Sequence, residues 1–180
     1  LPGTHEDNIF FIGDFDDALE RDVILPLTVA IREETKKNEG HIDLYINSMG
    51  GYGHVLYHMV GLVETAKRQG VVVRTIVTDS AFSAGSMLAI TGTPGERYIS
   101  RTGSHLIHYG SIASFESTPE QIARYTKWKS GFFKSNVALY KKYSDVPNLE
   151  QHIADDGFFV SAPEAIKWKL ADKFMDKLEI

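Results

Sequence analysis

No cysteine occurs among the 180 residues, so neither a disulfide framework nor thiolate chemistry is available. A cysteine-free chain suits the cytosol. Basic residues are also in deficit, with 19 Lys and Arg against 24 Asp and Glu and a formal charge of −5. That balance argues against general affinity for nucleic acid or an anionic membrane, both of which need a positive surface. No apolar run approaches the roughly 18 residues that cross a bilayer, and no signal peptide opens the sequence. The expectation is therefore a cytoplasmic protein. A G-x-x-x-x-G-K-[ST] phosphate loop is missing too, so no ATP site of that kind is present. Neither an internal repeat nor a low-complexity linker breaks the chain, which points to one domain over 1–180. The 43% hydrophobic content supplies a sizeable core.

The apolar pattern alternates between strand-like and helix-like stretches. Asn8 to Gly13 reads as a first strand, and a helical face follows at Val23, Leu27, Ala30 and Ile31. Pro26 places the start of the regular helix near it, or a kink. Lys36, Lys37 and Gly40 mark its end. His41 to Asn47 alternates as a strand, Ser48 to Gly53 is a glycine-rich turn, and His54 to Gln69 has helical spacing. Val71 to Val77 is a β-branched run expected to form a buried strand, followed by a short apolar helix at about Ala84 to Ile90. Repeated strand–turn–helix units of this kind indicate an α/β fold with parallel pairing. Thr118-Pro119-Glu120-Gln121 then starts a long helix to about Tyr143, aromatic on more than one side. Leu149 to Ala154 predicts a shorter helix. A turn at Asp155-Asp156-Gly157, an extended run at Phe158 to Val160 and a final helix capped at Ser161 complete the pattern.

The chemistry concentrates where the buried strand meets the short helix. Ser83 stands there in A-F-S-A-G, with Ala84 and Gly85 leaving the backbone after it unobstructed. Ser80 and Ser86 compete with it as nucleophile. The pattern A-x-S-x-G resembles a nucleophile elbow without its first glycine, although small residues at such a junction also serve tight packing alone. A serine hydroxyl needs a base, a group to orient that base and N–H donors for the oxyanion. Among the seven histidines, His5, His41 and His152 look like surface or loop residues. His105 and His108 bracket a short apolar run, where a satisfied structural histidine is the plainer account. His54 and His58 are spaced to grip a metal, but Val55 stands where an H-E-x-x-H zinc peptidase needs glutamate. Gly50-Gly51 permits the positive φ angles that turn N–H groups toward a substrate.

Taken together, these parts resemble the proteolytic subunit of the Clp protease, the ClpP family of serine peptidases, from about Phe10 to Asp176. The resemblance rests on Y-I-N-S-M-G-G at Tyr45 to Gly51, A-F-S-A-G at Ala81 to Gly85, L-I-H-Y at Leu106 to Tyr109 and S-A-P-E-A-I-K-W-K-L-A-D at Ser161 to Asp172. It implies a ClpP/crotonase-like α/β fold of repeated strand–strand–helix units with a long protruding helix after the histidine strand. The head would span about 8–110 and 155–180, and the handle about 111–154. By the same resemblance Ser83 matches the nucleophile, His108 the general base, and Gly51 and Ala84 the oxyanion donors. No metal and no organic cofactor is implied. The partners implied are copies of the chain in stacked heptameric rings, polypeptide substrates and a Clp-type ATPase.

The sequence departs from the family in several places. Counted back from S-A-P-E-A, the family's aspartate falls on Gly157; Asp156 is the first candidate to replace it and Asp155 the second. Met49 replaces a proline, and Ser111-Ile112-Ala113-Ser114 replaces the Gly-Gly that helps build the substrate-binding strand. The arginine beside the family's aspartate, used between rings, is not recognisable. The axial N-terminal segment is expected to be absent or very short. These departures leave two rivals to a serine endopeptidase: a structural ring subunit with a decayed triad, and a crotonase-type enzyme acting on an acyl thioester.

Overall fold

A computed structural model describes residues 8–108, 118–154 and 157–178. The chain alternates β1 (Ile9–Ile12), α1 (Asp17–Glu34), β2 (His41–Ser48), α2 (Gly53–Arg68), β3 (Val72–Phe82) and α3 (Ala84–Ala89). There follow β4 (Arg97–Ile99), β5 (Ser104–Ile107), α4 (Pro119–Tyr143), α5 (Leu149–Ala154), β6 (Phe158–Ser161), α6 (Ala162–Lys167) and β7 (Lys173–Phe174). Strands β1, β2, β3, β4 and β7 lie side by side in that order and run parallel. Near its end β3 exchanges β4 for β5, pairing Ser80, Ala81 and Phe82 with Ser104, His105 and Leu106, also in parallel. Among the described residues only β6 runs antiparallel, along β5. The parallel α/β expectation holds.

Several boundaries differ from the sequence expectation, each for a local reason. Helix α1 starts at Asp17, well before Pro26, because the Asp16 side chain caps it by accepting from Leu19 N at 2.9 Å. Pro26 lies inside it. Strand β3 continues past Val77 to Phe82, since Ser48 of β2 and the residues of β5 supply ladder partners for its polar end. The short strands β4 and β7 carry too little periodicity to be read from sequence; their neighbours define them. His41 opens strand β2, as the alternation from His41 to Asn47 predicts. Helix α4 has the expected bounds, with a capping box between Thr118 and Gln121.

The core forms where the helices pack on β2 and β3. Ile42, Leu44, Ile46, Ile76 and Val77 are buried there, and α2 contributes Val55, Met59 and Val63. Burying these side chains is the main favourable term in folding, at roughly 25 cal/mol per Å² of apolar surface. Helix α4 is two-faced along its length. Ile122 and Trp128 in its first half are exposed, whereas Asn136, Val137 and Tyr140 in its second half are buried against the core. Its end is fixed by charge as well as packing. Arg97, itself buried, makes paired bonds of 2.6 and 2.8 Å to Asp172 and donates to the Tyr143 carbonyl at 2.8 Å.

Candidate active site

Strand β3 ends at Phe82 and α3 starts at Ala84, leaving Ser83 alone at the corner. Its backbone takes φ 54° and ψ −116°, in the left-handed region, where an L residue pays about 1–3 kcal/mol. The surroundings hold it there: Ser83 N donates to Leu106 O at 2.8 Å, and Ser83 O accepts from Met87 N at 3.1 Å. The side chain is half-buried. Its two competitors are differently placed. Ser80 lies within β3 with its hydroxyl donating to Asp79 at 3.0 Å, and Ser86 is fully buried in α3.

The glycine turn after β2 approaches this corner closely. Gly50 and Gly51 have φ of 109° and 138°, and a methyl group on Gly50 would stand 2.7 Å from Ser83 Cβ. Only glycine allows that approach. The turn is braced by residues that sequence patterning did not single out. Asp14 accepts from Met49 N at 2.7 Å, Phe15 N donates to Gly50 O at 2.7 Å, and Tyr52 N donates to Phe15 O at 2.6 Å. A short D-F-D segment between strand and helix carries no periodic signal that would have marked Asp14 and Phe15. Among the described residues, neither the Gly51 N–H nor the Ala84 N–H is taken up by a backbone bond outside the regular elements. The first N–H groups of α3 have no intrahelical partner either.

His108 follows β5 and is half-buried. Because Phe82 is in register with Leu106, the serine just past one strand and the histidine just past the other emerge at the same edge of the sheet. Burial pulls the His108 pKa below the ordinary 6.5, which keeps the ring neutral and able to accept a proton at pH 7. Among the described residues no hydrogen bond joins Ser83 Oγ to the His108 ring and no carboxylate bonds that ring. Nucleophile–base contacts of this kind often tighten only with substrate bound.

The position of the expected acid is informative. Gly157 packs directly on the histidine: a methyl group there would lie 2.4 Å from His108 Cβ and 2.2 Å from Ile107 O. With φ at 88°, position 157 leaves no room for a side chain. The acid candidates Asp155 and Asp156 lie outside the described residues.

A second serine–histidine pair sits beneath the first and is sealed from solvent. Ser86 Oγ lies 2.9 Å from His105 Nδ1, and Tyr140 donates to Ser86 Oγ at 2.9 Å. All three residues are buried. His105 is thus only partly satisfied, because its Nε2 has no partner among the described residues. Burial, aided by the Arg97 charge, pushes its pKa down to about 3. This neutral trio ties α4 to the helix after Ser83 and to the strand before His108. As for metals, the pair His54 and His58 meets Glu20 of α1.

Comparison with known proteins identifies the family. The Clp protease family model matches residues 4–178. An ATP-dependent Clp protease proteolytic subunit of Deinococcus radiodurans is 27% identical over 178 residues, covering 96% of this chain and 82% of that protein. Proteolytic subunit 1 of Bifidobacterium longum is 26% identical over 179 residues, covering 95% and 72%. The proteolytic subunit of Porphyromonas gingivalis is 28% identical over 142 residues, covering 76% and 60%. With the parallel sheet, the serine corner and the glycine turn all inside a match that spans nearly the whole sequence, the chain belongs to the Clp protease family and is a ClpP-type protease subunit.

Proposed function

We propose that this subunit is a serine endopeptidase acting on short or unfolded polypeptides inside a chamber formed by copies of itself. Ser83 attacks the peptide carbonyl while His108 takes its proton, and the N–H groups of Gly51 and Ala84 hold the oxyanion. His108 then protonates the leaving amine, and water activated by the same ring releases the acyl group. Asp156 is the group assigned to orient His108, with Asp155 second. The step needs neither metal, organic cofactor nor ATP; a Clp-type ATPase would serve only to feed folded substrates. The chain acts as one domain, with head and handle divided at about 111 and 154.

The observation that carries this proposal is the strained Ser83 backbone, φ 54°, pressed against Gly50 and sharing a sheet edge with His108. Residues held in such conformations cluster at functional sites. A second proposal, a structural ring subunit without turnover, is favoured by Gly157 at the position of the family's aspartate.

A fluorophosphonate probe separates the two. Wild-type protein is expected to be labelled at Ser83, with the adduct located by mass spectrometry, and labelling is expected to vanish in Ser83→Ala and His108→Ala. Asp156→Asn is expected to slow it by up to about 10⁴-fold, as loss of the acid does in the template triad. If the assembled protein stays unlabelled, the structural-subunit proposal replaces this one. An adduct at Ser86 would mean that the assigned nucleophile is wrong.

A further inference from the structure

The N-terminal turns of α1 and α2 bring together side chains from two separate stretches of sequence. Asp17 and Glu20 are three residues apart on α1, and His54 and His58 are four apart on α2, so each pair lies on one helical face. One donor atom from each of Asp17, Glu20 and His54 falls within 4.8 Å of the others. His54 Nε2 is 3.9 Å from one Glu20 carboxylate oxygen and His58 Nδ1 is 3.5 Å from the other. These separations exceed hydrogen-bond length. The donors converge on one region without satisfying one another.

We propose that Asp17, Glu20, His54 and His58 form a binding site for a divalent transition-metal ion, zinc foremost. Zinc takes imidazole nitrogen and carboxylate oxygen together, at about 2.0–2.2 Å and with tetrahedral geometry. Donors around such an ion stand about 3.4 Å apart, and the Asp17, Glu20 and His54 donors already fall within 4.8 Å of one another. Mixed nitrogen and oxygen donors distinguish the site from an acidic patch, which would suit hard calcium or magnesium ions. Asp17, Glu20 and His54 supply the central set, and His58, 3.5 Å from the other Glu20 oxygen, is assigned the fourth position. The Tyr52 ring stacks on His54 with centroids 5.5 Å apart and an interplanar angle of 17°, which restricts the orientation of the imidazole.

The location gives the site a structural consequence. Asp17 lies two residues beyond Phe15, whose backbone brackets Gly50 and Gly51, and His54 lies shortly after Tyr52 on the other side of that bracket. An ion bound across α1 and α2 therefore clamps both walls of the glycine turn. This proposal stands apart from the peptidase assignment, because its readout is ion binding and not turnover.

The test is calorimetric titration of chelator-stripped, tag-free protein with zinc chloride, and separately with magnesium chloride. One zinc per chain is expected, with magnesium binding at least tenfold weaker. His54→Ala and Glu20→Gln are each expected to weaken zinc by at least tenfold, since even outer partners of metal ligands cost 10–100-fold. His152→Ala serves as a control and should leave affinity unchanged. Zinc should also raise the thermal midpoint of the wild type and leave that of His54→Ala unmoved, a readout that confirms each variant is folded. Absence of stoichiometric zinc binding, equal binding of magnesium, or unaltered affinity in His54→Ala and Glu20→Gln would each overturn the proposal.

Discussion

Ser83 and His108 draw opposite consequences from being half-buried. For the serine, confinement fixes a backbone angle that solvent would relax. For the histidine, burial disfavours the charged ring and lowers its pKa below 6.5. The sign follows directly: the proton is lost more easily, so the neutral base survives to a lower pH than a free imidazole would. Labelling of Ser83 by a fluorophosphonate, followed against pH, should therefore lose half its rate at a pH below 6.5. A midpoint above 6.5 would show that a carboxylate against the ring, the role proposed for Asp156, outweighs desolvation. At this scale the sequence marked the residue types and their order well. Their environment was not legible, since His105 and His108 look alike in sequence while one is sealed in the core and the other borders solvent.

Helix α4 reaches the site through Tyr140, Ser86 and His105, so the helix that carries the exposed aromatics also braces the corner around Ser83. Tyr140→Phe keeps the ring and removes one donor from a buried hydroxyl. Losing a buried bond of this kind costs about 1–2 kcal/mol, to be measured by denaturant unfolding. If the trio positions α3 and β5, Ser83 labelling should slow as well. Tyr57→Phe is the comparison, because Tyr57 donates to Asn136 of the same helix at 2.5 Å and shares no hydrogen bond with Ser86. Equal slowing in both variants would reduce the trio to general packing. The bounds of α4 were readable because Thr118, Pro119 and Gln121 form a local capping signal. Strands β4 and β7 were not, because short strands are defined by neighbours distant in sequence. The continuation of β3 to Phe82 was missed for the same reason: its polar end is stabilised by a ladder and not by its own side chains.

For the molecule as a whole, the first half of α4 leaves large apolar side chains exposed, with Ile122 and Trp128 more than half accessible. Under the chamber proposal a second copy of the chain covers them. Sedimentation should then show a species several times the 20.1 kDa of one chain, and Trp128→Asp should shift it to smaller assemblies without unfolding the protein. A monomer at working concentration would remove the chamber from the proposal. The described residues contain no helix long and apolar enough to cross a membrane. The sequence by itself determined the α/β class, the family and the serine corner, because these rest on local signals: alternation of apolar residues, capping residues, and short motifs in a fixed order. Only the tertiary structure decided that Gly157 abuts His108, that Ser86 and His105 are buried beneath the site, and that Asp17 and Glu20 meet the His54–His58 pair. Each of these depends on a through-space contact set by sheet register and helix packing, which no local pattern encodes.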